Sequence, residues 1–120
     1  MNSTKLKKLV IDCLEDMKAR DIVELDVAEV SGFTDYMIIC TGNSNRQVKA
    51  ISDHVALEAK KQGHPAHGSE GGATAEWVLI DLGDIIVHVM QQNARDFYQL
   101  EKLWNPEFNS DSDSDQSNSL

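Results

Sequence analysis

The chain has 120 residues, a formal net charge of −9 and two cysteines. That length suits one domain with a modest core, and the sequence lacks the apolar run of roughly 18 residues that a membrane-spanning helix requires. The acidic balance repels nucleic-acid phosphates and favours a basic protein partner, which argues against sequence-specific RNA or DNA binding.

Leu6, Leu9, Val10, Cys13, Leu14 and Met17 recur at steps of three and four. They form the apolar stripe of an amphipathic helix expected from about Thr4 to Ala19. The N-terminus leads into this helix and not into a signal-peptide apolar block, so a cytoplasmic location is expected. Val23, Leu25 and Val27 then alternate with Glu24 and Asp26, the pattern of a strand with one wet face. After a turn at Val30 to Thr34, the dense apolar run from Tyr36 to Thr41 reads as an interior strand covered on both faces. Ser44 or Asn43 caps a long helix running to about Gln62, with Gly63 as its stop. The segment His64 to Thr74, rich in Gly and His, is expected to be a mobile loop. Ala75 to Leu82 and Ile85 to Gln91 form two strands joined at Gly83-Asp84. Ala94 to Trp104 forms a closing helix, with Pro106 beyond it.

The order is therefore α-β-β-α-β-β-α, an α/β fold with a mixed four-stranded sheet. The domain is expected to cover 1–105. Beyond it, 106–120 is a Ser/Asp-rich acidic tail without periodicity, expected to be disordered. Cys13 and Cys40 both lie in apolar stretches and read as buried free thiols.

A two-residue turn at Gly83-Asp84 fixes the hairpin register. Leu82 then faces Ile85, Ile80 faces Val87, and Val78 faces Val89, which makes one face wholly aliphatic and the natural core face. The other face pairs Asp81 with Ile86, Leu79 with His88, and Trp77 with Met90. A helix that satisfies Asp81 and His88 would explain this mixed surface; so would an open protein-docking patch, since Trp supplies large contact area with a polar handle.

Catalytic machinery is hard to assemble. Gly42-Asn43-Ser44 follows a strand and opens a helix, where a phosphate could sit, as in a nucleotidyltransferase. Metal-assisted nucleotidyl transfer also needs paired carboxylates downstream of that loop. Glu24 and Asp26 precede it, and Asp81 and Asp84 diverge across a tight turn. His64 and His67 are a weak metal pair without further ligands nearby. No P-loop, nucleophile elbow or CxxC occurs. The residues therefore point to no enzyme, no cofactor and no metal.

Four segments carry a specific resemblance. They are Asp35-Tyr36-Met37-Ile38-Ile39-Cys40-Thr41-Gly42, Ser44-Asn45-Arg46-Gln47-Val48, the hairpin Glu76 to Val89, and Phe97-Tyr98-Gln99-Leu100-Glu101-Lys102-Leu103-Trp104. In this order they resemble the ribosomal silencing factor, or Iojap, family over about Leu6 to Trp104. The resemblance implies a nucleotidyltransferase-like fold without catalytic carboxylates. It implies a non-enzymatic protein that binds the large ribosomal subunit through the ribosomal protein numbered fourteen. Docking there blocks joining of the small subunit and represses translation when nutrients are scarce. Large-subunit assembly through the same site is the alternative role, and free members tend to pair as homodimers. Carried over residue by residue, the contact candidates are Trp77, Leu79, Asp81, His88, Met90, Tyr98 and Glu101, with Phe97 expected in the core. Met90 departs from the family pattern, which commonly has Phe there, and the acidic tail lies outside that pattern.

Overall fold

The structure, a computed structural model, describes residues 2–32, 34–70, 76–100 and 102. Glu101 and the tail 106–120 lie outside the described residues.

The first helix, α1 (Ser3–Asp16), is capped by Asn2, whose side chain accepts from the Lys5 amide at 2.9 Å. It ends earlier than its stripe suggests, because Lys18 takes a left-handed conformation (φ 60°). The chain then enters β1 (Arg20–Asp26), a short helix α2 (Ala28–Ser31) in the expected turn, and β2 (Tyr36–Gly42). Helix α3 (Asn45–Lys61) follows, then β3 (Gly68–Glu70), β4 (Trp77–Asp81), β5 (Ile85–Gln91) and α4 (Gln92–Tyr98).

The sheet order is β1-β2-β5-β4-β3. Only the central β2–β5 pair is parallel; β1–β2, β5–β4 and β4–β3 are antiparallel. The four expected strands thus form the mixed sheet, with a fifth added at one edge. That fifth strand lies in the segment expected to be a loop, where Gly68, Ser69 and Glu70 pair with Asp81, Ile80 and Leu79. Three residues are too few for an alternation to register in the sequence.

Helices α1 and α3 cover one face of the sheet. Leu6, Val10, Cys13 and Leu14 of α1 meet Val48, Ile51, Val55 and Ala59 of α3 over Ile38, Cys40, Val78, Ile80, Val87 and Val89. Both cysteines are free and buried. The opposite face holds a smaller cluster of Leu25, Val27, Met37, Ile39, Met90, Ala94 and Leu100, with Trp77 and Val23 against it. Burying β2 from both sides explains its unbroken apolar run.

Where β2 passes into α3 the backbones are close. A Cβ on Gly42 would lie 2.8 Å from Val48 Cγ2, 3.2 Å from its amide nitrogen and 3.3 Å from its Cα. The neighbour is a stiff β-branched side chain backed by main chain, so it cannot yield cheaply. Gly42→Ala is expected to destabilise the fold by roughly 1–3 kcal/mol through overpacking. Urea denaturation measures this, and an unchanged midpoint would contradict the close approach.

A candidate docking face on the hairpin and closing helix

The hairpin register is the one expected from the turn: Trp77 pairs with Met90, Val78 with Val89, Leu79 with His88, Ile80 with Val87, and Asp81 with Ile86. Gly83 adopts φ 85°, and the Asp81 carboxylate accepts from its amide at 2.8 Å. Asp81 therefore shapes the turn while staying half-buried at the surface.

Side-chain alternation places Trp77, Leu79 and Asp81 on the same face as His88 and Met90. That face is only partly open. Trp77, Leu79 and Asp81 are half-buried. Met90 is 0% exposed and belongs to the second core cluster, and His88 is 4% exposed. Both were expected as contact residues, and in that role both are corrected. Helix α4 packs Ala94 over Met90, and the Trp77 indole accounts for His88. Its Nε1–H donates to His88 Nδ1 at 2.9 Å, with ring centroids 5.8 Å apart. His88 Nε2 is buried without a hydrogen-bond partner. Burial lowers the imidazole pKa to about 4, so the ring is neutral at physiological pH.

The aromatic surface continues onto α4. The Tyr98 ring lies 4.6 Å from that of Trp77, and Phe97 meets Tyr98 edge-on at 4.9 Å. Phe97 is 79% exposed and Tyr98 51%, which reverses the core placement expected for Phe97. The cause is Arg95. Its buried guanidinium donates to the Asp21 carbonyl at 2.6 Å and the Thr41 hydroxyl at 2.8 Å. At about 100° per residue, a side chain two positions later points away from the sheet. Gln99 then takes a left-handed conformation (φ 49°) and interrupts the helix that the sequence suggested would run on. Beside Phe97 and Tyr98 lies a shallow recess of about 320 Å³, completed by Glu76, Asn93 and Ala94. Asn93 holds the Glu76 carboxylate at 3.0 Å.

The phosphate-binding alternative fares poorly at the β2–α3 junction. Ser44 Oγ accepts from the Gln47 amide at 3.1 Å, and Gln47 Oε1 accepts from the Asn43 amide. Two amides at this junction, those of Asn43 and Gln47, are thus engaged by the chain's own side chains, in the manner of a capping box. Gln47 also reaches the Met17 and Lys18 carbonyls at 3.4 and 3.5 Å, tying this junction to the end of α1. His64 Nε2 lies 2.7 Å from the Leu82 carbonyl and braces the hairpin turn. Among the described residues no three His, Cys, Asp or Glu side chains group to hold a metal ion. None of the described helices is long and apolar enough to cross a membrane.

What this geometry defines is a small α/β module with an aromatic ledge, formed by Trp77, Tyr98 and Phe97, on the sheet face opposite α1 and α3. The family model described as ribosomal silencing factor during starvation matches residues 1–119. The ribosomal silencing factor of Haemophilus influenzae is 50% identical over 99 residues, covering 82% of this chain and 97% of that protein. A crystal structure of a Chromobacterium violaceum protein superposes with a TM-score of 0.85 at 46% identity, covering 87% of each chain. A more distant relative, the mouse protein named mitochondrial assembly of ribosomal large subunit protein 1, is 30% identical over 99 residues, covering 80% of this chain and 43% of that protein. The chain belongs to the ribosomal silencing factor family.

Proposed function

We propose that this chain represses translation by occupying the large ribosomal subunit and blocking its union with the small one when nutrients are limiting. Its contact is the ribosomal protein numbered fourteen, met by Trp77, Leu79, Asp81 and Tyr98, with Phe97 extending the same ledge. Glu101 stays a contact candidate from the resemblance alone. The supporting observation is the exposed Phe97–Tyr98 pair stacked against Trp77. Large aromatics are left in water at a cost, and they are typical of interface hot spots. The acidic Glu76 lines the recess beside Phe97 and Tyr98, which suits a basic ribosomal protein.

Such a mechanism uses affinity and bulk, with no chemical step. An interface of roughly 800 Å² on each partner is sufficient. Asp81 and the engaged α3 N-terminus have structural duties, which favours this reading over nucleotidyl transfer. The protein then works in the cytoplasm, and the same apolar ledge can pair two free copies until a subunit displaces one. The second reading, assembly of the large subunit, is favoured by the name of the mouse relative and uses the same contacts.

Co-sedimentation of the full chain with isolated large subunits tests the face. Trp77→Ala is expected to weaken binding by about 2 kcal/mol or more, roughly thirtyfold, as for a central hot-spot aromatic. Undiminished binding by Trp77→Ala and Tyr98→Ala together would place the interface elsewhere.

A further inference from the structure

His88 is the one described residue with a buried side-chain nitrogen or oxygen left without a hydrogen bond. Its surroundings dictate why. An indole N–H can only donate, so the Nδ1 it meets at 2.9 Å must be the unprotonated nitrogen. The ring proton of the neutral imidazole therefore sits on Nε2, where no acceptor is present. Leu or Met would fill this place on β5 without stranding a donor. The imidazole thus carries a desolvation cost, and the one hydrogen bond made by its side chain is spent on Trp77.

We infer that His88 is a positioning residue: its Nδ1 fixes the Trp77 indole in the pose that carries Tyr98 and Phe97, and so presets the face for its partner. The inference rests on the proposed role of Trp77 as a contact. Trp77 is half-buried, and without an acceptor beneath it the indole N–H would be free to turn toward water. The ring would then be ordered only on docking, and that ordering weakens association. The arrangement also explains how a residue almost closed to solvent can matter to binding without touching the partner.

The test combines binding to isolated large subunits with the indole N–H resonance of Trp77, identified by its disappearance in Trp77→Phe. His88→Leu is expected to keep or raise Tm, to shift the Trp77 indole resonance, and to bind about fivefold more weakly, the scale of one neutral hydrogen bond. His88→Asn, whose Oδ1 falls near the place of Nδ1, is expected to restore part of both signals. In a Trp77→Phe background, which has no indole N–H, His88→Leu is expected to cause no further loss of binding. An equal loss in both backgrounds would make His88 a direct contact and overturn the inference. So would losses that follow Tm across all variants, or unchanged binding by His88→Leu. Where His88→Leu does not fold, His88→Phe takes its place in the same comparisons. Full binding by Trp77→Ala would remove the docking reading and the inference together. Weakened binding by Trp77→Ala with full binding by His88→Leu would remove the inference alone.

Discussion

Met90→Ala is expected to lower the free energy of unfolding by roughly 2–5 kcal/mol, the range for truncating a large buried side chain. Met90 is 0% exposed and packs with Met37, Ile39, Ala94 and Leu100. Removal of the thioether leaves a cavity at the junction of β2, β5 and α4. Partial collapse of α4 into that space would bring the cost toward the lower end. Met90→Leu keeps the volume and is expected to cost less than about 1.5 kcal/mol. Urea denaturation of the three proteins measures both effects. The comparison bears directly on the corrected role of Met90. A surface contact would lose large-subunit binding with its stability intact, whereas a core residue loses stability and, with Met90→Leu, keeps binding.

The second large effect depends on pH. In the unfolded chain His88 takes up a proton near pH 6.5, but in the folded protein burial delays this to about pH 4. Between those values the unfolded state holds more protons, so stability is fully present above pH 6.5, falls as pH drops through the window, and levels off below it. The component is worth roughly 3 kcal/mol, from about 1.4 kcal/mol per pKa unit. Carboxylates titrate in the lower part of the same range, so the difference between the native chain and His88→Leu isolates the histidine. The gap between the two stability curves is expected to widen as pH falls, with the leucine variant losing less. Parallel curves would show that His88 is not buried as a neutral ring.

The hairpin was readable from the sequence because it is local. Gly83-Asp84 sets the turn, strict alternation sets the faces, and every cross-strand pair from Trp77–Met90 to Asp81–Ile86 follows from those two facts. The capped start of α3 at Ser44 and its stop at Gly63 were readable for the same reason. What covers the mixed face was not readable, because that depends on contacts between residues far apart in the chain. Arg95 looks like an ordinary surface residue in sequence. Only the fold brings the Asp21 carbonyl and the Thr41 hydroxyl within its reach. That reach orients α4, which sends Phe97 outward and places Ala94 over Met90. The alternation correctly grouped Trp77, His88 and Met90 on one face, but a shared face does not reveal depth. His88 and Met90 form the floor of the site, and Trp77, Tyr98 and Phe97 its surface. Strand β3 escaped notice because it exists only through pairing with β4, with no apolar pattern of its own.

The occlusion mechanism is tested most directly by subunit joining. Purified large and small subunits are mixed at a magnesium concentration that supports joining, with and without the full chain, and joined ribosomes are quantified on a sucrose gradient. The native protein is expected to reduce joining in proportion to its occupancy of the large subunit, and Trp77→Ala to leave joining nearly complete at the same concentration. Full joining in the presence of saturating, bound native protein would contradict the mechanism and leave large-subunit assembly as the role of this face.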